Sequence, residues 1–281
     1  MRIHIDYQAA YEYEEPVSLS PHIVRVLPRC TRFIRMIDQE FHCGGGARVQ
    51  FRRDLYDNET ACCFFPSVVR AFGISLSTTL QLTTYNPLDF LLDSRGLSIP
   101  PAYSESELAV LEPHLRDLSG VRLPAPLAPE GSRPTVETLM SMICWTNEEI
   151  AYERRDEGAP LSPEELLKRR AGSCRDFTVL LVAALRQNGV AGRLVSGFLW
   201  EGPSESSRVA ENSLHAWVEA YLPGAGWLAL DPTNGSFCDH RSIATAAGAS
   251  AEDIAPVSGT YYGERQVPSR LTPRLTISEI E

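Results

Sequence analysis

The sequence predicts a two-part α+β chain. An all-β, sandwich-like part over residues 1–100 is followed by a mixed core over 135–240, in which helices precede an antiparallel sheet. Three observations predict it. Apolar residues recur with period two as far as Asn86, seven prolines crowd the stretch from Pro100 to Pro134, and from Thr135 the spacing lengthens to that of a helix before strand patterns return. Period two gathers side chains on one face of a strand, and spacings of three and four gather them on one side of a helix.

In the first part, Ile3, Ile5 and Tyr7 alternate with polar residues, as do Ile74, Leu76, Thr78, Leu80 and Leu82. Both runs read as strands with one buried face. Asp57-Asn58 reads as a hairpin turn, because Asp and Asn tolerate the left-handed backbone that tight turns require. No catalytic constellation occurs in this half. The proline-rich stretch, residues 101–134, reads as a linker broken by one short helical candidate from Ser104 to Leu118, since proline sustains neither a ladder nor a helix interior.

The core begins with a helix at Thr135 whose Val136, Leu139, Met140, Ile143 and Ile150 share a face. Ser162-Pro163-Glu164-Glu165 starts the next: Ser162 caps, Pro163 suits the first turn, and Glu165 completes a capping box. That helix runs to Arg170. Ala171-Gly172-Ser173 breaks it, and another helix starts at Cys174, with Phe177, Leu180, Leu181, Ala184 and Leu185 as its apolar stripe and an end near Gly189. Strands follow at Arg193–Trp200, Leu214–Leu222 and Trp227–Asp231. The last two flank Pro223-Gly224-Ala225-Gly226 and should form a hairpin. Glu201 to Ser213 reads as a solvated loop, and residues 241–281 as a C-terminal extension.

Composition excludes several classes of function. A net charge of −10 and a pI near 5.2 oppose a phosphate-binding surface, so no nucleic-acid partner is expected. Residues 1–7 lack the apolar run of a signal peptide, and the apolar stretch around Phe177–Leu185 is too short to span a bilayer. No membrane partner and a cytoplasmic location are the expectation. Seven cysteines, odd in number and without repeated spacing, read as reduced thiols rather than a disulfide framework, with Cys30, Cys62, Cys63 and Cys144 packed or half-buried. No Cys-x-x-Cys occurs and the six histidines are scattered, so neither metal nor cofactor is expected. Cys238-Asp239-His240 is the one cluster resembling a ligand pair, and it lacks a second pair.

Cys174 differs from the other cysteines by starting a helix, where unpaired amides and the helix dipole favour a thiolate. A histidine would take the thiol proton, and a carboxylate on its other ring nitrogen would fix its tautomer. His215 and Asp231 lie on consecutive strands and can supply both. The amides of the helix start could also stabilise an oxyanion. Strand parity makes the idea testable. If Leu222 paired with Trp227, Asp231 would face away from His215; if Tyr221 pairs with Trp227, Asp231 lies opposite Trp217 and diagonal to His215. The second register is the one required.

Four blocks, Gly172-Ser173-Cys174-Arg175-Asp176-Phe177, Val195-Ser196-Gly197-Phe198, His215-Ala216-Trp217-Val218-Glu219 and Asp231-Pro232-Thr233-Asn234-Gly235, closely resemble the bacterial transglutaminase-like proteins, in that family's order. Tyr11-Glu12-Tyr13 and Pro16 to His22 resemble the β domain that often precedes that core, and Ala255 to Gly259 its C-terminal extension. The resemblance implies a papain-like transglutaminase core, a triad of Cys174 as nucleophile, His215 as base and Asp231 as orienter, and acyl transfer through a thioester. Arg175 stands where the family leads one to expect glutamine, and Tyr152 matches a tyrosine the family tends to have. The final acceptor is not written in the triad. Hydrolysis of a peptide or γ-glutamyl-type amide is the favoured expectation, since no calcium loop or acceptor site is recognisable. Transfer to an amine and a non-catalytic binding module of the same fold are the alternatives. A peptide or amide substrate is the expected partner.

Overall fold

The computed structural model describes residues 1–155, 158–202, 214–263 and 265–280. Most of the loop read from Glu201 to Ser213 lies outside the described residues. The architecture is α+β, with a β-rich first part and a mixed core.

Strand β1 (Arg2–Leu19) buries Ile3, Ile5, Tyr7 and Ala9, leaves His4 half-buried and exposes Asp6 and Gln8, as period two requires. It pairs antiparallel with β6 (Val69–Leu82), which pairs in turn with β3 (Ile34–Cys43). A second sheet holds β2 (His22–Val24), β4 (Arg48–Arg53) and β5 (Glu59–Phe64). The two sheets enclose one core, in which Ile3, Ile5, Ile74 and Leu76 meet Val24, Ala61 and Cys63. The hairpin turn lies at Asp54–Asn58, with Asp57 at φ 60°.

Residues 101–134 are packed rather than extended. Helix α1 (Glu105–Leu115) is capped by Ser104 and carries Pro113 near its end, at the loss of one intrahelical hydrogen bond. Leu111, Leu123 and Leu127 are buried in the core of the second part. The Tyr103 hydroxyl donates to the Tyr221 carbonyl at 2.8 Å and accepts from the Ala191 amide at 2.9 Å.

Helices α2 (Thr135–Glu149), α3 (Pro163–Arg169) and α4 (Cys174–Gln187) then precede a five-stranded antiparallel sheet. Its strands are β7 (Ala191–Leu199), β8 (Leu214–Leu222), β9 (Gly226–Asp231), β10 (Ser236–Phe237) and β11 (Ser242–Gly248), in the spatial order β10-β9-β8-β7-β11. Phe177, Leu180, Leu181, Ala184 and Leu185 of α4 pack with Leu194, Val218, Ala220 and Leu222. Each large side chain so buried contributes about 1.5–3 kcal/mol. Ile150 is buried as its spacing suggests, although α2 ends at Glu149.

The C-terminal stretch divides between the two parts. Its first strand, β11, completes the core sheet. Then β12 (Val257–Ser258) joins β2, β13 (Tyr261–Tyr262) joins the end of β1, and β14 (Ser269–Ile280) pairs along β1 from Tyr13↔Ser269 to Arg2↔Ile280. A second tie is local: the wholly buried Asn58 accepts from the Ala247 amide at 2.9 Å and donates to its carbonyl at 2.8 Å. One side-chain amide thus satisfies both backbone groups of a core strand.

All seven cysteines are free thiols. Cys62 and Cys63 are buried and Cys144 is half-buried, whereas Cys30 is exposed, contrary to its reading as packed. It sits between Arg29 and Thr31, where the chain leaves β2 without regular structure.

Candidate active site

The approach to Cys174 is fixed residue by residue. Ser162 caps α3 with Pro163 in the first turn and Glu165 reaching back, and α3 ends on Arg170 in the left-handed conformation, φ 57°. Ala171 and Gly172 then pair in parallel with Ala151 and Tyr152. Gly172 has no room for a Cβ, which would lie 2.6 Å from a Leu166 methyl and 2.9 Å from Asp176 Oδ2. Asp176 reaches back to accept from the Ser173 amide at 2.7 Å and its hydroxyl at 2.9 Å. Helix α4 therefore starts at Cys174.

Asp176 is wholly buried and also accepts from the Leu161 amide at 2.6 Å and from Arg155 Nη1, at 2.8 and 2.9 Å to its two oxygens. Burial alone would raise its pKa; the Leu161 and Ser173 amides and the Arg155 guanidinium outweigh that and hold it below the usual carboxylate value. The Arg175 guanidinium donates to the Arg155 carbonyl at 2.7 Å and the Gly158 carbonyl at 2.8 Å. The residue on either side of the thiol is thereby committed to holding the helix start.

In the sheet, Tyr221 pairs with Trp227 and Val218 with Leu230, the register that sets Asp231 diagonal to His215. His215 Nε2 lies 2.8 Å from Asp231 Oδ2 and donates to it. The carboxylate is held from three further directions, by the Thr233 amide at 2.9 Å, the Asn234 amide at 3.2 Å and the Asn234 side-chain amide at 2.8 Å. Asn147 fixes the turn by donating to the Thr233 carbonyl. Burial would lower the His215 pKa, but the Asp231 charge and hydrogen bond, with the Cys174 thiol beside the ring, push it up to about 10. Asp231 moves the other way, below its ordinary value, because His215 and Asn234 outweigh its burial. Imidazole Nδ1 is buried with no nitrogen or oxygen partner, and the Cys174 thiol lies beside the ring. Cys174 is 8%, His215 2% and Asp231 3% exposed, so the three groups are drawn together in a low-dielectric setting where charge interactions gain strength.

The other residues singled out take different places. Tyr152 stands beside Gly172, two residues before the helix that Cys174 begins, and meets Phe177 edge-on at 6.5 Å. Trp217 is buried against Val195 and Cys238, as a sheet-packing aromatic. Trp227 carries Arg193 over its ring at 4.1 Å. Burial, followed by the Asp231 charge, raises the Cys238 thiol well above its ordinary value. His240 is buried, with Nδ1 3.8 Å from Asp239. Among the described residues no three His, Cys, Asp or Glu side chains gather as a metal site.

Two supporting groups escaped the sequence reading. Asp176 follows Ser173 at the Ser-x-x-acid spacing of a reciprocal cap, a signal present in the sequence. Asn234 and Thr233 follow Asp231 as an Asx-type turn, which Pro232 favours.

Comparisons with known proteins reach both parts of the chain. Residues 126–232 match the transglutaminase-like superfamily and residues 3–81 match the bacterial transglutaminase-like N-terminal region. An uncharacterized protein of Mycobacterium tuberculosis is 32% identical over 136 residues, 46% of this chain and 43% of that protein. The match thus spans less than half of that relative. A protein-glutamine gamma-glutamyltransferase of Pseudomonas aeruginosa is 32% identical over 79 residues, 27% of this chain and 12% of that protein. A solved structure from Cytophaga hutchinsonii, provisionally assigned as a cysteine protease, superposes with a TM-score of 0.62 at 16% identity over 100% of this chain and 92% of that one, a likeness of fold. The chain therefore carries a transglutaminase-like core at residues 126–232, preceded by a bacterial transglutaminase-like N-terminal region at residues 3–81.

Proposed function

We propose that the protein is a thiol-dependent acyl-transfer enzyme acting on a carboxamide or related carbonyl, with Cys174, His215 and Asp231 as its triad. The observation that carries this reading is the buried His215–Asp231 hydrogen bond beside a cysteine that begins a helix. An imidazole whose protonated form is this strongly favoured can draw the thiol proton and keep it until a leaving group needs it. Sulfur then attacks the carbonyl carbon, and the oxyanion meets the unpaired amides at the start of α4. Collapse of that intermediate breaks the bond to nitrogen, His215 protonates the departing amine, and a thioester remains on Cys174.

The acceptor that resolves the thioester decides the product. We favour water, giving hydrolysis of a peptide or γ-glutamyl-type amide. Transfer to an amine is the second reading, favoured by the similarity over 79 residues to a protein-glutamine gamma-glutamyltransferase. A binding module without catalysis would not require the buried carboxylate–imidazole pair to abut a thiol. We also propose a cytoplasmic location; among the described residues no helix is long and apolar enough to cross a membrane.

Incubation with a library of peptide and γ-glutamyl amides, with and without added primary amines, separates these outcomes by ammonia release, free peptide and amine incorporation. Ammonia release with incorporation overturns the preference for hydrolysis. Iodoacetamide labelling of Cys174 that is indifferent to His215→Ala overturns the catalytic reading.

A further inference from the structure

We infer that Asn234 is a positioning residue of the triad, its side-chain amide holding Asp231 Oδ2 against the imidazole of His215. The inference rests on the triad reading and says what keeps the orienting carboxylate in place.

The two oxygens of Asp231 are held differently. Oδ1 accepts from the backbone of the turn, from the Thr233 amide at 2.9 Å and the Asn234 amide at 3.2 Å. Oδ2 accepts from two side chains, His215 Nε2 at 2.8 Å and Asn234 Nδ2 at 2.8 Å. The torsion that turns a carboxylate about its Cβ–Cγ bond is soft, so the backbone amides fix one oxygen and leave the other to swing. The Asn234 side chain supplies the second point of attachment, on the oxygen that meets the imidazole. Its backbone is fixed on both sides. Asn147 of α2 donates to the Thr233 carbonyl, and a Cβ on Gly235 would lie 3.1 Å from Asn147 Cγ.

Charge favours an amide in this place. Asp231 is 3% exposed, and a buried carboxylate takes up a proton unless donors hold it as an anion. Burial raises its pKa, and His215 and then Asn234 bring it down. His215 of β8 is its ion-pair partner, the Cys238 thiol just after β10 also faces its charge, and Cys174 of α4 lies beside the imidazole ring. A lysine or arginine in the place of Asn234 would compete with the imidazolium for Oδ2. The neutral amide supports the anion without becoming its counter-ion. Without that donor, Oδ2 is free to turn, the carboxyl takes its proton at a higher pH, and His215 loses its orienter.

The rate at which iodoacetamide labels Cys174, read by mass spectrometry of the peptide that contains it, reports how well the imidazole supports the thiolate. In each event the thiolate displaces iodide, and a C–S bond replaces the C–I bond. N234L keeps the size of the side chain and removes the donor; N234D keeps the shape and sets a carboxylate against Oδ2. Two carboxylates sharing one site leave one of them with a raised pKa, so the introduced carboxyl repels Oδ2 at neutral pH and donates to it once protonated. In N234L, labelling at pH 7 should be about three- to tenfold slower, the order of one lost charge-assisted bond, and its fall-off toward acid should begin about one pH unit higher than in the wild type. N234D should label more slowly than N234L at pH 7 and faster at pH 5, a crossover that packing alone does not produce. An unchanged rate and pH course in N234L overturns the inference, whether or not N234D folds. So does a slower rate with an unshifted pH course and no crossover, which marks Asn234 as a packing residue. Neither outcome touches the catalytic reading. That reading, and this inference with it, falls if His215→Ala leaves the labelling rate unchanged.

Discussion

Replacing Asp176 by alanine should destabilise the protein by about 3–5 kcal/mol, the range for removing one partner of a buried ion pair. The structure supplies the reason. The wholly buried carboxylate accepts from the Arg155 guanidinium, the Leu161 amide, and both the amide and hydroxyl of Ser173. Alanine leaves these donors without an acceptor, and each buried amide so stranded costs about 1–3 kcal/mol, partly recovered where water enters beside the 21% exposed Arg155. At about 2–4 °C per kcal/mol, Tm should fall by roughly 6–20 °C. Asp176→Asn, which keeps the shape and one carbonyl acceptor, should lose about half as much. The pH dependence has a definite sign. The folded carboxyl is held below its ordinary value of 3.8, so its contribution is complete above that pH and disappears as pH falls through the folded value. The gap between wild type and Asp176→Ala in urea midpoint should be full at pH 7 and narrow below pH 4. A loss under 1 kcal/mol at pH 7, or a gap that persists unchanged at pH 3, would refute the reasoning.

Other outcomes follow from the same contacts. Asp231→Asn should lower turnover about 10²–10⁴-fold with little change in KM, because the amide no longer selects the imidazole tautomer; stopped assays on any substrate found would show it. The His215–Asp231 pair should also stabilise the fold in a pH window. The His215 pKa is raised from 6.5 to about 10, so its share is complete below 6.5 and lost as pH rises through about 10, while the Asp231 share is lost as pH falls below 3.8. Thermal melts of wild type and Asp231→Asn should therefore converge at both extremes. Asn58→Ala should cost about 2–4 kcal/mol in urea unfolding, since both backbone groups of Ala247 lose their partner. Gly197→Ala should fail to fold or lose at least about 1–3 kcal/mol, because a Cβ there would fall 2.1 Å from the Ile243 carbonyl and 2.7 Å from the Trp217 ring.

What the sequence discloses and withholds follows from the range of the interactions. Helix starts are local chemistry: Ser162-Pro163-Glu164-Glu165 and the Ser173–Cys174 junction lie where their caps put them. Register is nearly local as well. A turn between Leu222 and Gly226 constrains the hairpin, and the chemistry demanded of His215 and Asp231 chose between its two parities. Helix α1 was legible from Ser104, yet its surroundings read as a linker, because proline content reports lost hydrogen bonding and says nothing about burial of Leu111, Leu123 and Leu127. The Asn58–Ala247 tie joins positions 189 residues apart and has no local signature. The same holds for β14, whose exposed, period-poor residues carry little sign of the strand they pair with.

The pairing of β14 with β1 has a consequence for how the protein is made. Strand β1 is paired on one edge by β14, which follows it by about 250 residues, so at about 5–20 residues per second β1 waits some 15–50 s for that neighbour. During that interval Arg2–Tyr13 presents an open row of amides and carbonyls to any other nascent chain. That edge of β1 is thus made early and closed late, and its vulnerability to misassembly should track the speed of translation rather than its own stability.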